Sequence, residues 1–417
     1  MSNTTTGTRV EAMPETMNTL EGFVREGARR MLQAALDAEV QEYVDGLKGL
    51  VDGKGRRLVV RNGTMPERTV LTGAGPMPVR RPRVDDRALE EMGKERFTSR
   101  ILPRFMRRAP SIDALVPLLY LKGISSDDFP SALEAILGPQ AKGLSATTVV
   151  RLKEIWTSEH EEWSRRSLSD KAYVYVWADG VYCNARLEDE RSCLLVVMGA
   201  DPFGNKELLA VSDGFRESAQ SWKELLLDLR SRGLQKSPVL AVCDGAMGFQ
   251  AACTEVWPET RIQRCWFHKS GNVLDKLPAS IQAKAKDMLH NQYLAPTRQE
   301  AFKAHELFVE TFGEKYPKAV ECLVKDKEDL FAFYDFPAAH WLHLRTTNPI
   351  ESTFATVRLR HRKTKGSGTR KATLAMVYKL CREAEKGWRR LDGSKYIPLV
   401  QAGIKFINGE QVREAVA

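Results

Sequence analysis

From Lys171 onward the chain alternates in an order that few folds allow. Three β-type runs, "YVYVWADGVYC", "SCLLVVMGADP" and "KELLAVSDGF", are separated by charged or Asp-Pro-Phe-Gly-Asn turns. A helical stretch follows, "SAQSWKELLLDLRSRG", stopping at Gly233 as helices tend to. "PVLAVCDG" is a fourth strand, "AMGFQAACTEVW" a second helix and "RIQRCW" a fifth, short strand. One residue sits awkwardly in this pattern. Asp179 places a carboxylate in the middle of the first apolar, aromatic run.

Three meandering strands, then helix, strand, helix and strand, is the order of an RNase H-like fold, an α/β class whose mixed sheet is flanked by helices. Residues 267–345 do not continue it. They carry helix signals such as "TRQEAF", with Thr297 and Glu300 as a capping box. A stretch of that length cannot be a plain loop in a compact domain, so an all-α insertion is expected. From Asn348 a long helix begins and resumes the core over 346–417. The divided core is therefore expected at 169–266 and 346–417.

Ahead of the core the chain changes character several times. Residues 1–50 hold an amphipathic helix, with Leu20, Phe23, Ala28, Met31, Leu32, Ala35 and Val40 at helical spacing. Residues 51–87 carry short β-type runs broken by Asn62-Gly63, Pro66 and Gly73, the pattern of a basic hairpin or meander. Residues 88–168 read as helical, cut into pieces by Pro103, Pro110, Gly123 and Gly138. There "GLSATTVVRLKEIW" would cap a helix at Ser145 and project Thr147, Thr148 and Arg151 from its first turns. That suits a helix-turn-helix, and equally an ordinary helical bundle.

Charge narrows the class of partner. The 417 residues carry a net charge of +9. From Lys54 to Arg83 there are eight basic residues and one acid, Glu67; from Arg358 to Lys371 there are seven basic residues and no acid. Two such runs favour a nucleic-acid surface over a solvated charged face. Arg80, Arg81, Arg151, Arg358, Arg360, Arg362 and Lys363 are the residues expected to meet DNA. No run of 18 apolar residues occurs, so no membrane span is expected. The N-terminus lacks a basic segment followed by an apolar one, and the seven cysteines are scattered singly. Both fit a reducing cytosol, with the protein cytoplasmic and nucleoid-associated.

Six Asp-Gly pairs occur, at 45, 52, 179, 213, 244 and 392. Asp-Gly is a strong hairpin-turn signal, so one pair means little. Asp179 and Asp244 differ because each falls late in an apolar strand, the first and the fourth. Those strands are neighbours in an RNase H-like sheet, so their carboxylates would converge. Two like charges in contact call for a cation between them, and hard oxygen donors suit Mg²⁺, with Mn²⁺ as a substitute. A third carboxylate is sought in "TTNPIESTF". There Asn348 is placed as the N-cap, Pro349 at N1 and Glu351 at N3, where a Glu is fixed in direction. A capping-box role for Glu351 would be compatible with this. Asp213, ending the third strand, ranks next as a ligand.

Cys265 and His268 in "CWFHK" have metal-ligand spacing, but zinc needs two more ligands. His290, His305, Cys322, His340 and His343 are scattered, so no zinc is expected and the pair is expected to pack the insertion against the site. Trp341 is read as core, with stacking on a displaced base as the alternative.

"WADGVY", "VCDGAMGF", "RCWFHK" and "RTTNPIESTFATVRLRHR" resemble the blocks of the Mutator-type bacterial insertion-sequence transposases, a DDE transposase family. The likeness covers nearly the whole chain, including the N-terminal helix, the basic segment and "GLSATTVVRL". It implies an RNase H-like core whose acidic triad is interrupted by a helical insertion. Matched by motif, the triad is Asp179, Asp244 and Glu351. It also implies terminal inverted-repeat DNA and target DNA as partners, and nicking and strand transfer as the reactions. A homodimer is the default, because two DNA ends must be held together. A nuclease that only hydrolyses and a DNA-binding regulator with a dead core remain the other readings.

Overall fold

The computed structural model describes residues 19–122, 124, 129–137, 146–184, 191–214, 218–245, 247–364 and 369–412. The chain divides into two units, Met1–Val149 and Val150–Ala417. The cap expected at Ser145 falls outside the described residues, as do the side chains of Thr147 and Thr148.

The first unit is organised around one long helix, α1, Leu20–Gly46, capped by Thr19, whose hydroxyl accepts from the Gly22 amide at 3.1 Å. Its buried positions are Leu36, Val40 and Val44. Of the apolar positions expected on one face, Val40 is buried and Ala28 and Leu32 pack against a core cluster, whereas Leu20, Phe23 and Met31 are exposed. Two antiparallel ribbons lie beside α1. One pairs β1, Val60–Thr64, with β4, Pro82–Asp85; the other pairs β2, Arg68–Thr72, with β3, Gly75–Val79. Leu36, Val70, Met77, Val79 and Leu102 form one core cluster, and Val40, Val44, Val59 and Leu89 another. A short helix α2, Arg87–Glu91, then gives way to irregular chain, and helix resumes at α3, Pro110–Leu121, and α4, Phe129–Leu137. The expectation of helix throughout 88–168 therefore fails over residues 92–109. There Glu39 of α1 substitutes for helical bonding by accepting from Ser99 Oγ and the Arg100 amide.

The second unit opens in α5, Ala146–Ser164, and is a mixed α/β structure built on one sheet. Its strands are β5, Tyr175–Asn184; β6, Arg191–Ala200; β7, Lys206–Asp213; β8, Leu240–Cys243; and β9, Arg261–Arg264. They lie in the order β7-β6-β5-β8-β9. The β5-β6 and β6-β7 pairs are antiparallel; β8 and β9 run parallel to β5. The parallel crossovers carry α6, Ala219–Ser231, and α7, Met247–Val256. Alternate strand residues, Val176, Ala178, Leu195, Val197 and Ala241, meet Trp222, Leu226, Phe249 and Trp257 of this helical layer in one core. Burying each large apolar side chain there contributes about 1.5–3 kcal/mol.

After β9 the chain is helical: α8, Trp266–Leu274; α9, Ala279–Tyr293; α10, Arg298–Phe312; α11, Pro317–Val324; α12, Lys327–Leu330; and α13, Trp341–Leu344. Thr297 caps α10 by accepting from the Glu300 amide. Trp266, Phe331, Phe333, Tyr334 and Trp341 pack as rings between these helices. Trp341 is core, with its indole N–H donated to Phe336 O at 2.9 Å. The chain returns to the sheet through α14, Asn348–Thr364, against β5, and α15, Arg370–Glu385, against β7. Helix α16, Ile397–Gln401, and a two-residue ribbon of β10, Phe406–Ile407, and β11, Glu410–Gln411, follow. Among the described residues no helix is long and apolar enough to cross a membrane.

Candidate active site

Asp179 is not in a turn. The β5-β6 ladder runs unbroken from Tyr175↔Ala200 to Asn184↔Arg191, with Asp179 opposite Val196. Strand side chains alternate, so Tyr175, Trp177 and Asp179 share the face opposite the core with α6 and α7. The helical segment covers that face. His340 lies 2.8 Å from the Tyr175 hydroxyl, and Trp177 donates its indole N–H to His343 O. Asp179 is 5% exposed at the end of this row, and its Oδ1 accepts the Gly180 amide at 2.9 Å.

Asp244 comes from the neighbouring parallel strand. The β5-β8 register ends with Ala178 opposite Cys243, so Asp179 and Asp244 each stand one residue beyond the same pair. Parallel neighbours lie about 4.8 Å apart, which brings the two carboxylates into one field. The next residue has to be glycine. Gly245 has φ +82, and a Cβ there would fall 1.8 Å from Arg264 Nη1. Arg264 is 6% exposed and is held by Asp326, Nε to Oδ2 at 3.1 Å; Lys269 Nζ meets the same oxygen at 2.6 Å. A buried ion cluster at the end of β9 thus backs the Asp244–Gly245 turn.

Glu351 enters from α14. The helix is capped one residue earlier than Asn348. Thr347 O accepts the Glu351 amide at 3.0 Å, and Thr347 Oγ1 donates to Glu351 Oε1 at 2.8 Å. Glu351 therefore lies one position deeper than N3, and the Thr347 hydroxyl replaces a capping-box contact. His268 Nε2 is 3.3 Å from the same Oε1. Cys265, fully buried at the start of α8, accepts the Thr347 amide on its sulfur at 3.3 Å. Cys265, His268 and Glu351 have ligand atoms within 4.8 Å of one another. The histidines sought as further zinc ligands bond elsewhere: His305 to Gln292, His340 to Tyr175 and His343 to Asp392.

The electrostatics tie these groups together. Burial, then the charge of Asp244, with Glu351 adding to both, pushes the Asp179 carboxyl up to about 8 against the opposing pull of His268. Burial disfavours charge on His268, but the Cys265 sulfur and the carboxylates of Asp179 and Glu351 outweigh it and raise the imidazolium to about 9. A carboxyl strained in this way by burial and like charge is what a divalent cation would relieve. The oxygen donors of Asp179, Asp244 and Glu351 fit a hard cation such as Mg²⁺.

Over residues 1–391 the sequence matches the family described as "Transposase, Mutator family". The chain belongs to the Mutator family of transposases. Its relatives include the transposase for insertion sequence element IS6120 of Mycolicibacterium smegmatis, 50% identical over 71% of this chain and 91% of that one. The transposase for insertion sequence element IST2 of Acidithiobacillus ferrooxidans is 49% identical over 67% of this chain and 94% of that one. Among solved structures, the Drosophila P element transposase strand transfer complex aligns at 12% identity and a TM-score of 0.29, over 76% of this chain and 88% of that chain. So loose a superposition carries nothing about fold or function.

The basic residues of this Mutator-family transposase divide into exposed and engaged groups. On α14, Arg358 and Arg362 are exposed and one turn apart. Arg360 is 1% exposed, which removes it from any DNA-facing set, because a guanidinium inside the fold cannot reach a phosphate. Lys363 lies on α14, and its side chain falls outside the described residues, as does the "GSG" segment. Arg370 is not an adaptable backbone contact, since it holds Asp213 through two bonds of 2.8 Å. That pair also accounts for Asp213 as structural. Lys371 pairs with Glu161 at 2.9 Å. Arg151 is exposed on α5. In the first unit Arg80 is exposed and paired with Glu67, and Arg81 is half-buried. The sequence run looked unbalanced because acids outside it or at its edge supply the partners: Asp37 pairs with Arg61 and Asp52 with Arg56.

Proposed function

We propose that this chain is the transposase of an insertion sequence. In this reading it nicks and joins DNA at an RNase H-like core, with Asp179, Asp244 and Glu351 as a DDE triad holding Mg²⁺. The observation that carries this reading is the buried Asp179, on the central strand and in the field of two further carboxylates from the end of β8 and from α14. The strand order three-two-one-four-five, with a helical segment between β9 and α14, supports the RNase H-like part. Bound Mg²⁺ supplies Lewis-acid polarisation of phosphate oxygens and neutralises the charge that develops on them.

The residues of the chain do the positioning. Asp179 is fixed by its strand ladder, Asp244 by the turn that Gly245 permits and Glu351 by the first turn of α14. The attacking oxygen is that of water in nicking and of a DNA 3′-hydroxyl in joining. Phosphoryl transfer of this kind needs placement and charge, so no side-chain nucleophile is required. The decisive assay is Mg²⁺-dependent nicking of DNA carrying the inverted repeats that flank the gene. Failure to cut any such DNA with Mg²⁺ or Mn²⁺ would defeat the proposal.

Arg358 lies seven residues, two turns, beyond Glu351, which gives the two a shared helix face. DNA held at the site would cross that face. Arg358→Ala with Arg362→Ala is expected to weaken DNA binding equally for all sequences, because phosphate contacts carry no base information. The slope of log affinity against log salt should shrink by about two, one for each arginine replaced. The thermal midpoint should stay put, since both side chains are exposed. An unchanged salt slope would remove these residues from the DNA path.

Recognition of the DNA ends is assigned to the N-terminal region with its basic ribbons and α5. Residues 1–166 are expected to bind inverted-repeat DNA better than random DNA in a competition assay. Equal binding of both would leave only sequence-independent attachment there.

A further inference from the structure

The "RCWFHK" segment is the one motif that the acidic triad does not absorb. Arg264, Cys265 and His268 contact the two turns that carry Asp244 and Glu351. Arg264 closes under Gly245, and with Lys269 it shares Asp326 of the helical segment. Next to Arg264, Cys265 takes the Thr347 amide at the cap of α14, and three residues further on His268 reaches Glu351. Trp266 anchors the segment between them, donating its amide to Arg345 O and its indole N–H to Leu330 O. One short piece of chain therefore grips both loops.

At Glu351 the grip is one-sided. The Thr347 hydroxyl, at 2.8 Å, and His268 Nε2, at 3.3 Å, both address Oε1. A carboxylate held through one oxygen is fixed in rotation and presents the other to whatever the site binds. The same trio has ligand types suited to a metal. In this structure, however, the trio is joined by protein donors: the Cys265 sulfur accepts the Thr347 amide, and Glu351 Oε1 accepts the Thr347 hydroxyl.

We propose that His268 is a positioning residue: together with Thr347 it fixes Oε1 of Glu351, so that Oε2 faces Asp179 and Asp244 and completes the divalent-cation site. This rests on the triad reading above. Outer partners that orient metal-binding carboxylates and imidazoles typically change metal affinity by about 10–100-fold. His268 keeps about a third of its side chain exposed, so truncating it leaves no closed cavity.

The test is Mn²⁺ binding to the full-length protein without DNA, followed by electron paramagnetic resonance of the free ion, with thermal midpoints in chelator as a control. His268→Ala is expected to weaken Mn²⁺ binding at least about tenfold. His268→Gln, which keeps a donor nitrogen, should recover much of the loss, and Thr347→Val should lose a comparable amount. In a Glu351→Gln background His268→Ala should cost nothing more, because the group it orients is already gone. Unchanged Mn²⁺ affinity in His268→Ala, or an equal loss with and without Glu351, overturns the positioning role while leaving the triad standing. Unchanged affinity in Glu351→Gln overturns the triad and the positioning role together.

Discussion

Asp179→Asn, Asp244→Asn and Glu351→Gln should each lower nicking and joining about a thousandfold while sparing the fold and DNA binding. A divalent ion contributes several kcal/mol to stabilising a phosphoryl-transfer transition state. At about 1.36 kcal/mol per tenfold in rate, losing its seat costs on this order. The substitutions are close to isosteric, so packing is kept. Asp179→Asn also replaces a buried carboxyl that burial and Asp244 already hold out of its usual range. Its thermal midpoint in chelator should therefore be no lower than that of the parent. Adding Mg²⁺ should raise the midpoint of the parent and not of the variant, since only a bound ion stabilises. Rates measured on nicked and joined DNA, beside thermal scans with and without Mg²⁺, check this. A variant that cuts at the parent rate would remove that residue from the triad.

Gly245→Ala is expected to cost nearly as much through a different route. The residue sits at φ +82, where an L side chain is strained, and its Cβ would overlap Arg264. Arg264 must shift from its place beside Asp326 to make room, and a non-glycine residue held in the left-handed region itself costs about 1–3 kcal/mol. The loss should appear as a lower thermal midpoint and as slower cutting, because Asp244 shares the displaced turn. Arg264→Met, which vacates the space, should recover part of the stability of Gly245→Ala. Failure of the alanine variant to lose stability would mean that Arg264 does not back the turn.

The core strands were legible because their signals are local. Continuous apolar, β-branched and aromatic runs, broken by Asp-Pro-Phe-Gly-Asn and Gly233, mark β5 to β8 without knowledge of the rest. Asp179 was legible by contrast, as a carboxylate where the strand wants an apolar side chain. What surrounds it was not. Thr347 takes the cap instead of Asn348 because its hydroxyl has Glu351 to donate to, a partner visible only once the helix turn is built. Arg264 and Gly245 look like an ordinary basic residue and an ordinary turn glycine until β8 and β9 lie side by side. Arg360 shares its basic run with Arg358 and Arg362, yet two residues along a helix is a rotation of about 200°, so it points inward. On α1, apolar spacing alone did not decide which stripe is buried. Ala28, Leu32 and Val40 of the expected stripe pack with Leu36 and Val44 where the ribbons of β1 to β4 lie, while Leu20, Phe23 and Met31 stay outside.

The central claim is that one divalent ion site is shared by β5, the end of β8 and the first turn of α14. Iron(II) substituted for Mg²⁺, with added hydrogen peroxide as oxidant and ascorbate to reduce the iron(III) formed, generates hydroxyl radicals that cut the backbone beside the ion, and mass spectrometry of the fragments locates it. Cuts near residues 179, 244 and 351, suppressed together by excess Mg²⁺ and lost together in Asp179→Asn, are the predicted result. Cuts confined to one of these segments, or elsewhere in the chain, would contradict it.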